Sequence, residues 1–302
     1  MEFRRIRKSF ILIFLLINFV NLPAQTCKGL ASFIAKNGCD PSRAAISSQE
    51  SKYRGVVLVE LENINDLTSR RTKIVQDPSW LMVGYAGTVI TARSGDVFVL
   101  PKANVNMLYN EPKDQNTIYC IDNNSGKMSS WLSIPMIKLP HQQNATGLLG
   151  ACYDCDLDAL IVSTIAGSSQ NEELGKVYAI DVKTKKYFQI LDNIDIISTL
   201  TGRVNREKRL YYGLARKSEI WSIALDPFNK PIGEARMEIN LDGLGPRGDD
   251  KARKIRMDQE GILKVFGTPF YYNLTAPVIR QETIYTYQYN TVSKRWVLIN
   301  MR

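Results

Sequence analysis

Residues 150–181, GACYDCDLDALIVSTIAGSSQNEELGKVYAID, decide how this chain folds. Two apolar runs flank a polar turn, and a loop then leads to a third run that ends on Asp181. Short apolar runs bounded by Asp, Asn and Gly are the pattern of β-strands with at least one buried face. Asp154, Asp156 and Asp158 fall between the first two runs, where short acidic side chains favour turn geometry. The stretch therefore reads as strand, turn, strand, loop, strand.

The same phrase returns on both sides. Val89–Leu100 (VITARSGDVFVL) is a hairpin with Gly-Asp at its turn, and Thr117–Asp122 (TIYCID) supplies the next strand. Leu200–Gly213 is followed by Glu219–Asp226, and Lys254–Gly267 by Thr283–Asn290. Leu160, Leu210 and Leu263 are equivalent positions, 50 and 53 residues apart; Val97 lies 63 residues before Leu160, the excess falling in the polar loop after Leu100. One twisted four-stranded sheet cannot bury both of its faces, whereas similar sheets set around an axis cover each other and leave only short edges. A repeat of this length in strand-forming sequence is the mark of a β-propeller. The expected fold is all-β, a propeller of four-stranded blades, five or six in number, formed by residues 25–302 as a single domain. Four blades are clear. A less regular one is expected within residues 30–76, where Arg54–Leu61 and Thr72–Val75 read as strands and Leu30–Ala35 as a strand or short helix.

Residues 1–24 read as a secretory signal peptide. Arg4, Arg5, Arg7 and Lys8 precede the apolar run Phe10–Val20, and Ala24 offers a small residue for cleavage. The run is short for a membrane span, which needs about 20 residues. Alternatives are an uncleaved anchor or a lipid on Cys27, for which Thr26 is a poor preceding residue. The expectation is a secreted or otherwise extracytoplasmic protein with no stable membrane span after cleavage. The leader carries a net +3 (four basic residues against Glu2), so the formal +9 of the whole chain leaves about +6 afterwards. Those basic residues are scattered among acids, as in Arg93-Ser94-Gly95-Asp96, and suggest no nucleic-acid partner. In an oxidising compartment Cys27 and Cys39 could close a small loop, while Cys152 and Cys155 could pair or stay reduced.

The phrases at 153–164 (YDCDLDALIVST), 204–226 (VNREKRLYYGLARKSEIWSIALD) and 257–265 (MDQEGILKV) resemble the calcium-dependent phosphotriesterase superfamily of propellers, with its regucalcin/gluconolactonase, NHL-repeat and royal-jelly/yellow branches. The resemblance implies six blades. In enzymatic members it also implies a calcium ion in the central channel, held by carboxylates and side-chain amides and polarising an ester or lactone carbonyl. The Glu-Gly-Pro-x-Trp signature that would supply one ligand has no counterpart, since Glu260-Gly261 belongs to a hairpin turn. Oxygen-bearing residues ahead of the first strands of blades are Asn144, Asp195, Asp249 and Asp250. With His141, the single histidine, these are the candidate ligand-binding residues. Cys152-x-x-Cys155 lacks the second Cys or His pair that a zinc site needs, and no serine stands in a Gly-x-Ser-x-Gly context. Two functions follow: a secreted propeller that binds a small molecule or protein through its loop face, or a calcium-dependent lactonase or esterase working in the channel.

Overall fold

The computed structural model describes residues 29–64, 69–102, 107–274 and 281–302. The expected leader and Cys27 lie outside them. Nineteen strands form five antiparallel sheets. Blade 1 has three strands, β1 (Ala44–Ser47), β2 (Val57–Leu61) and β3 (Arg71–Val75). Blade 2 holds β4 (Ala86–Thr91), β5 (Val97–Pro101), β6 (Thr117–Ile121) and β7 (Met128–Ser133). Blade 3 holds β8 (Leu148–Asp154), β9 (Ala159–Thr164), β10 (Lys176–Asp181) and β11 (Tyr187–Asp192). Blade 4 comprises β12 (Ile196–Val204), β13 (Glu207–Leu214), β14 (Glu219–Leu225) and β15 (Pro231–Asn240). Blade 5 comprises β16 (Lys251–Met257), β17 (Leu263–Thr268), β18 (Thr283–Asn290) and β19 (Arg295–Met301).

The molecule is thus a five-bladed propeller, and the sixth blade that the resemblance implied is not among the described residues. Residues 29–76 yield one irregular blade because part of that stretch is helix. Ser32–Lys36 forms α1, and Phe33 N donates to Asn123 O, so the segment clasps a turn of blade 2.

Strand alternation explains how the blades stack. In β5, Val97 and Val99 pack toward blade 1 while Phe98 and Leu100 pack toward blade 3. In β9, Leu160 and Val162 face blade 2 and Ile161 faces blade 4. In β13, Leu210 and Tyr212 face blade 3 and Tyr211 faces blade 5. The repeat-equivalent residues Val97, Leu160, Leu210 and Leu263 therefore all point at the preceding blade. Burying a side chain of this kind contributes roughly 1.5–3 kcal/mol.

Hydroxyls also join neighbouring blades near the axis. Ser48 Oγ donates to Gly87 O at 2.6 Å, Thr88 Oγ1 to Leu149 O at 2.6 Å, and Ser163 Oγ to Ile196 O at 2.8 Å. Ser198 Oγ donates to Ala252 O in the same manner. Each ties one blade to the innermost strand of the next.

In blades 2–5 the first and second strands, and the third and fourth, are joined by short turns at one end, which we term the turn face. The second-to-third connections, long in blades 2, 3 and 5, and the links between blades lie at the other end, the loop face. Among the described residues no helix is long and apolar enough to cross a membrane.

Candidate functional site on the loop face

The oxygen-bearing residues singled out in the sequence sit on the loop face, ahead of innermost strands. Three of them are fully buried. Asn144 Nδ2 donates to Ile165 O (2.7 Å) and Ser168 O (2.9 Å), and its Oδ1 accepts from Thr146 N (3.0 Å). Asp195 Oδ1 accepts from Ser168 Oγ (2.5 Å) and Gly175 N (3.0 Å); its Oδ2 accepts from Tyr272 Oη (2.6 Å) and Arg216 Nη2 (3.4 Å). Burial, then the bond to Asp195, pushes the Tyr272 phenol well above its ordinary range. Asp250 takes both arms of Arg247, Nε at 2.6 Å and Nη2 at 2.9 Å, and a bond from Tyr285 Oη at 2.8 Å. Burial works against ionisation there, but these donors hold the Asp250 carboxyl below the usual carboxylate range.

Each group is thus a latch that ties the strand after it to neighbouring loops, with its oxygens already committed. A calcium ion needs six to eight oxygen ligands, several of them carboxylates. Asp249 is exposed, its carbonyl accepting from Lys251 Nζ at 2.9 Å. His141 is exposed in a tight turn, its Nδ1 accepting from Gln143 N at 3.2 Å. Among the described residues no group of three or more His, Cys, Asp or Glu is placed to hold a metal ion. The donor set present does not fit the calcium site that the resemblance implied. Arg247, which opens the tripeptide Arg247-Gly248-Asp249, is the clamp on Asp250.

The cysteine readings change as well. Cys39 is a free, buried thiol packed with Phe33 and Ile34, not one end of a loop-closing disulfide. Burial raises its pKa, with Lys73 and Glu60 exerting opposite smaller effects. Cys152 is free and buried, and burial pushes its thiol up to about 11. Cys155 is disulfide-bonded, and Cys120 is free. The bridge across the turn from Cys152 to Cys155 is therefore excluded. As expected, this stretch makes the hairpin: Asp154 closes β8 and residues 155–158 form the β8–β9 turn.

Sequence reading overlooked a pair of cations at the mouth of the channel. Lys102 follows β5, and its backbone N–H donates to Tyr85 O (2.9 Å) just ahead of β4. Its stem lies over Gly87 of β4: a β-carbon on that glycine would stand 3.1 Å from Lys102 Cβ. Arg253 occupies the register irregularity between Ala252 and Lys254 in β16. Both side chains are half-buried toward the loop face, Lys102 just after the second strand of blade 2 and Arg253 in the innermost strand of blade 5. Their charges meet: the Arg253 guanidinium, then burial, lowers Lys102 to about 7, with Glu282 pulling the other way. Burial likewise lowers Arg253, again opposed by Glu282. Glu282 faces both of them and Arg256 as well, and among the described residues neither the Lys102 nor the Arg253 side chain has a hydrogen bond to the protein. No local motif announces this pair, because it joins a loop residue to a bulge residue 151 positions later.

No protein-family model and no curated sequence relative matches the chain. Solved structures do match in fold. Luciferin-regenerating enzyme aligns over 83% of this chain and 73% of its own, with 15% identity and a TM-score of 0.51. A glucose dehydrogenase aligns over 80% and 79%, with 14% identity and a TM-score of 0.43. The calcium-binding protein regucalcin from Agrobacterium tumefaciens aligns over 63% and 72%, with 12% identity and a TM-score of 0.35. At these identities the likeness concerns architecture alone: the chain shares the β-propeller fold.

Proposed function

We propose that the protein is an exported propeller that binds an anionic ligand, a small molecule or an acidic protein segment, at the mouth of its channel without transforming it. The observation that carries this reading is the Lys102–Arg253 pair. Two half-buried cations close enough to repel each other, with Glu282 the one carboxylate opposing them among the described residues, form a site that gains from an incoming carboxylate or phosphate. Asp195 and Asp250 are engaged as latches, and among the described residues Glu282 is a lone carboxylate beside the pair, with no group of ligands gathered around it. That favours binding over the lactonase alternative. Export rests on the composition of residues 1–24.

The test is calorimetric titration of the mature protein with inorganic phosphate, citrate and an oligo-glutamate peptide. At least one should bind, weaken with added salt and lose affinity in Arg253→Ala. If none binds, or if Arg253→Ala binds as well as the parent, the reading is wrong. Turnover of a lactone panel would restore the hydrolase. N-terminal sequencing of the protein recovered from an expressing host checks export, and an intact Met1 would count against it.

A further inference from the structure

A second depression lies on the opposite, turn face, where blades 4 and 5 meet. Three hairpin tips converge there, those joining β12 to β13, β16 to β17 and β18 to β19. They bound a cleft of about 220 Å³. Its aromatic wall is Tyr289 and Trp296, cross-strand partners with ring centroids 5.3 Å apart and planes at 71°. Trp296 is steadied by an edge-to-face contact with Tyr211 at 6.1 Å. Asn205, Glu260 and Gln288 also line the cleft. Among the described residues none of these three side chains has a hydrogen bond or ion pair to the protein, and the Trp296 indole N–H has no acceptor. Arg203, the cation of the lining, is already committed to Asp156 Oδ2 at 2.6 Å and to Arg206 O at 3.2 Å.

These properties select a ligand class. No uncommitted cation is present to attract an anion. A purely apolar molecule would strip water from Asn205, Glu260 and Gln288 without giving them partners, which costs about 1–3 kcal/mol per group. What matches is a ring with an apolar face and a rim of hydroxyls. Aromatic side chains offer such a ring a large flat surface, while amides and a carboxylate take its hydroxyls as donors or acceptors. The cleft is smaller than the roughly 300 Å³ at which drug-sized sites begin, so it suits one ring and not an extended chain. We propose that this cleft binds a pyranose, stacked on Tyr289 and gripped through its hydroxyls by Asn205, Glu260 and Gln288. The inference is independent of the loop-face reading, since it uses the other face, other side chains and recognition through hydroxyls in place of cations.

Tryptophan fluorescence and saturation-transfer NMR on the mature protein, titrated with glucose, galactose, mannose and N-acetylglucosamine, test it. At least one sugar should bind saturably, at about the millimolar level expected of a single-ring contact. Tyr289→Ala and Glu260→Gln should each weaken that sugar at least tenfold, whereas Lys102→Ala should leave it unchanged. Glu260 is exposed, so Glu260→Gln keeps the test sound if Tyr289→Ala fails to fold. Absence of saturable binding by all four sugars at tens of millimolar would overturn the proposal, as would undiminished binding in Glu260→Gln and Tyr289→Ala. Phosphate and citrate titrations on the same samples report the loop face separately, so either site can fail alone.

Discussion

The two faces of the propeller dispose of their charges in opposite ways. On the turn face, between blades 3 and 4, Lys208 and Asp154 form an ion pair at 2.6 Å with side chains only 6% and 3% exposed. Asn229 Nδ2 adds a third partner to the same carboxylate at 2.7 Å. Arg203 is likewise matched with Asp156. What remains uncommitted on that face, in the seam between blades 4 and 5, is aromatic, amide and one carboxylate. On the loop face Asp195 is satisfied largely by neutral donors, Ser168, Gly175 and Tyr272, while Asp250 is clamped by Arg247. Among the described residues Lys102 and Arg253 are uncommitted there, as is the buried Gln115 amide. Because a buried charge must be compensated, what is left after compensation shows what each face can still bind.

The largest expected effect breaks the turn-face balance. Lys208→Met leaves Asp154 buried without its cation and should cost about 3–5 kcal/mol in urea unfolding. The double variant Lys208→Met/Asp154→Leu should recover much of that loss, because exchanging a whole buried pair for apolar groups is often neutral. If the single variant were as stable as the parent, the pair would not be buried as described.

A smaller effect tests the loop face. Arg253→Glu reverses one of the two mouth charges and should cost about 2 kcal/mol of anion binding, roughly thirtyfold in affinity. It should barely alter sugar binding at the turn face. Loss of both together would mean that the variant had damaged the fold and not one site.

The pH dependence is smaller again and carries two signs. With Lys102 lowered to about 7, the pair loses one positive charge as the pH rises through neutrality, and anion affinity should fall by at most about tenfold per pH unit above 7. Unfolded lysine titrates near 10.4, so between about 7 and 10.4 the unfolded state holds the extra proton and this group's contribution to stability rises with pH. Below 7 both states are protonated and that contribution is flat. Calorimetry and thermal melts on the same samples should therefore move in opposite directions above neutrality. Parallel movement would show that another group governs binding.

The propeller was legible because its cause is local and repeated. Each blade restates one alternation, so Val97, Leu160, Leu210 and Leu263 announced both the repeat and the face that packs. Outer strands were harder to see. Met128–Ser133 alternates weakly because both its faces meet solvent over much of their length. The ordinary strand alternation also hid the site. Arg253 reaches the channel mouth through a register irregularity that no hydrophobic period encodes, and Lys102 reaches it because Gly87 has no side chain. Asp195 and Asp250 were singled out as candidate ligand-binding residues from their place ahead of innermost strands, and the structure places them as latches. Their use was not visible, because Tyr272, Tyr285 and Arg216 come to them from elsewhere in the chain.

That last point sets the smallest effect and the finest test of the comparison. If Asp195 is a latch with redundant neutral donors, removing one of them should matter little. Tyr272→Phe deletes the 2.6 Å bond but leaves Ser168, Gly175 N–H and Arg216 on the carboxylate, so it should cost only about 1 kcal/mol of stability in urea unfolding. It should leave anion binding at Lys102 and Arg253 within twofold of the parent. A much larger fall in anion affinity would mean that Tyr272 and Asp195 shape the mouth itself, and that the loop face distributes its recognition beyond its two uncommitted cations.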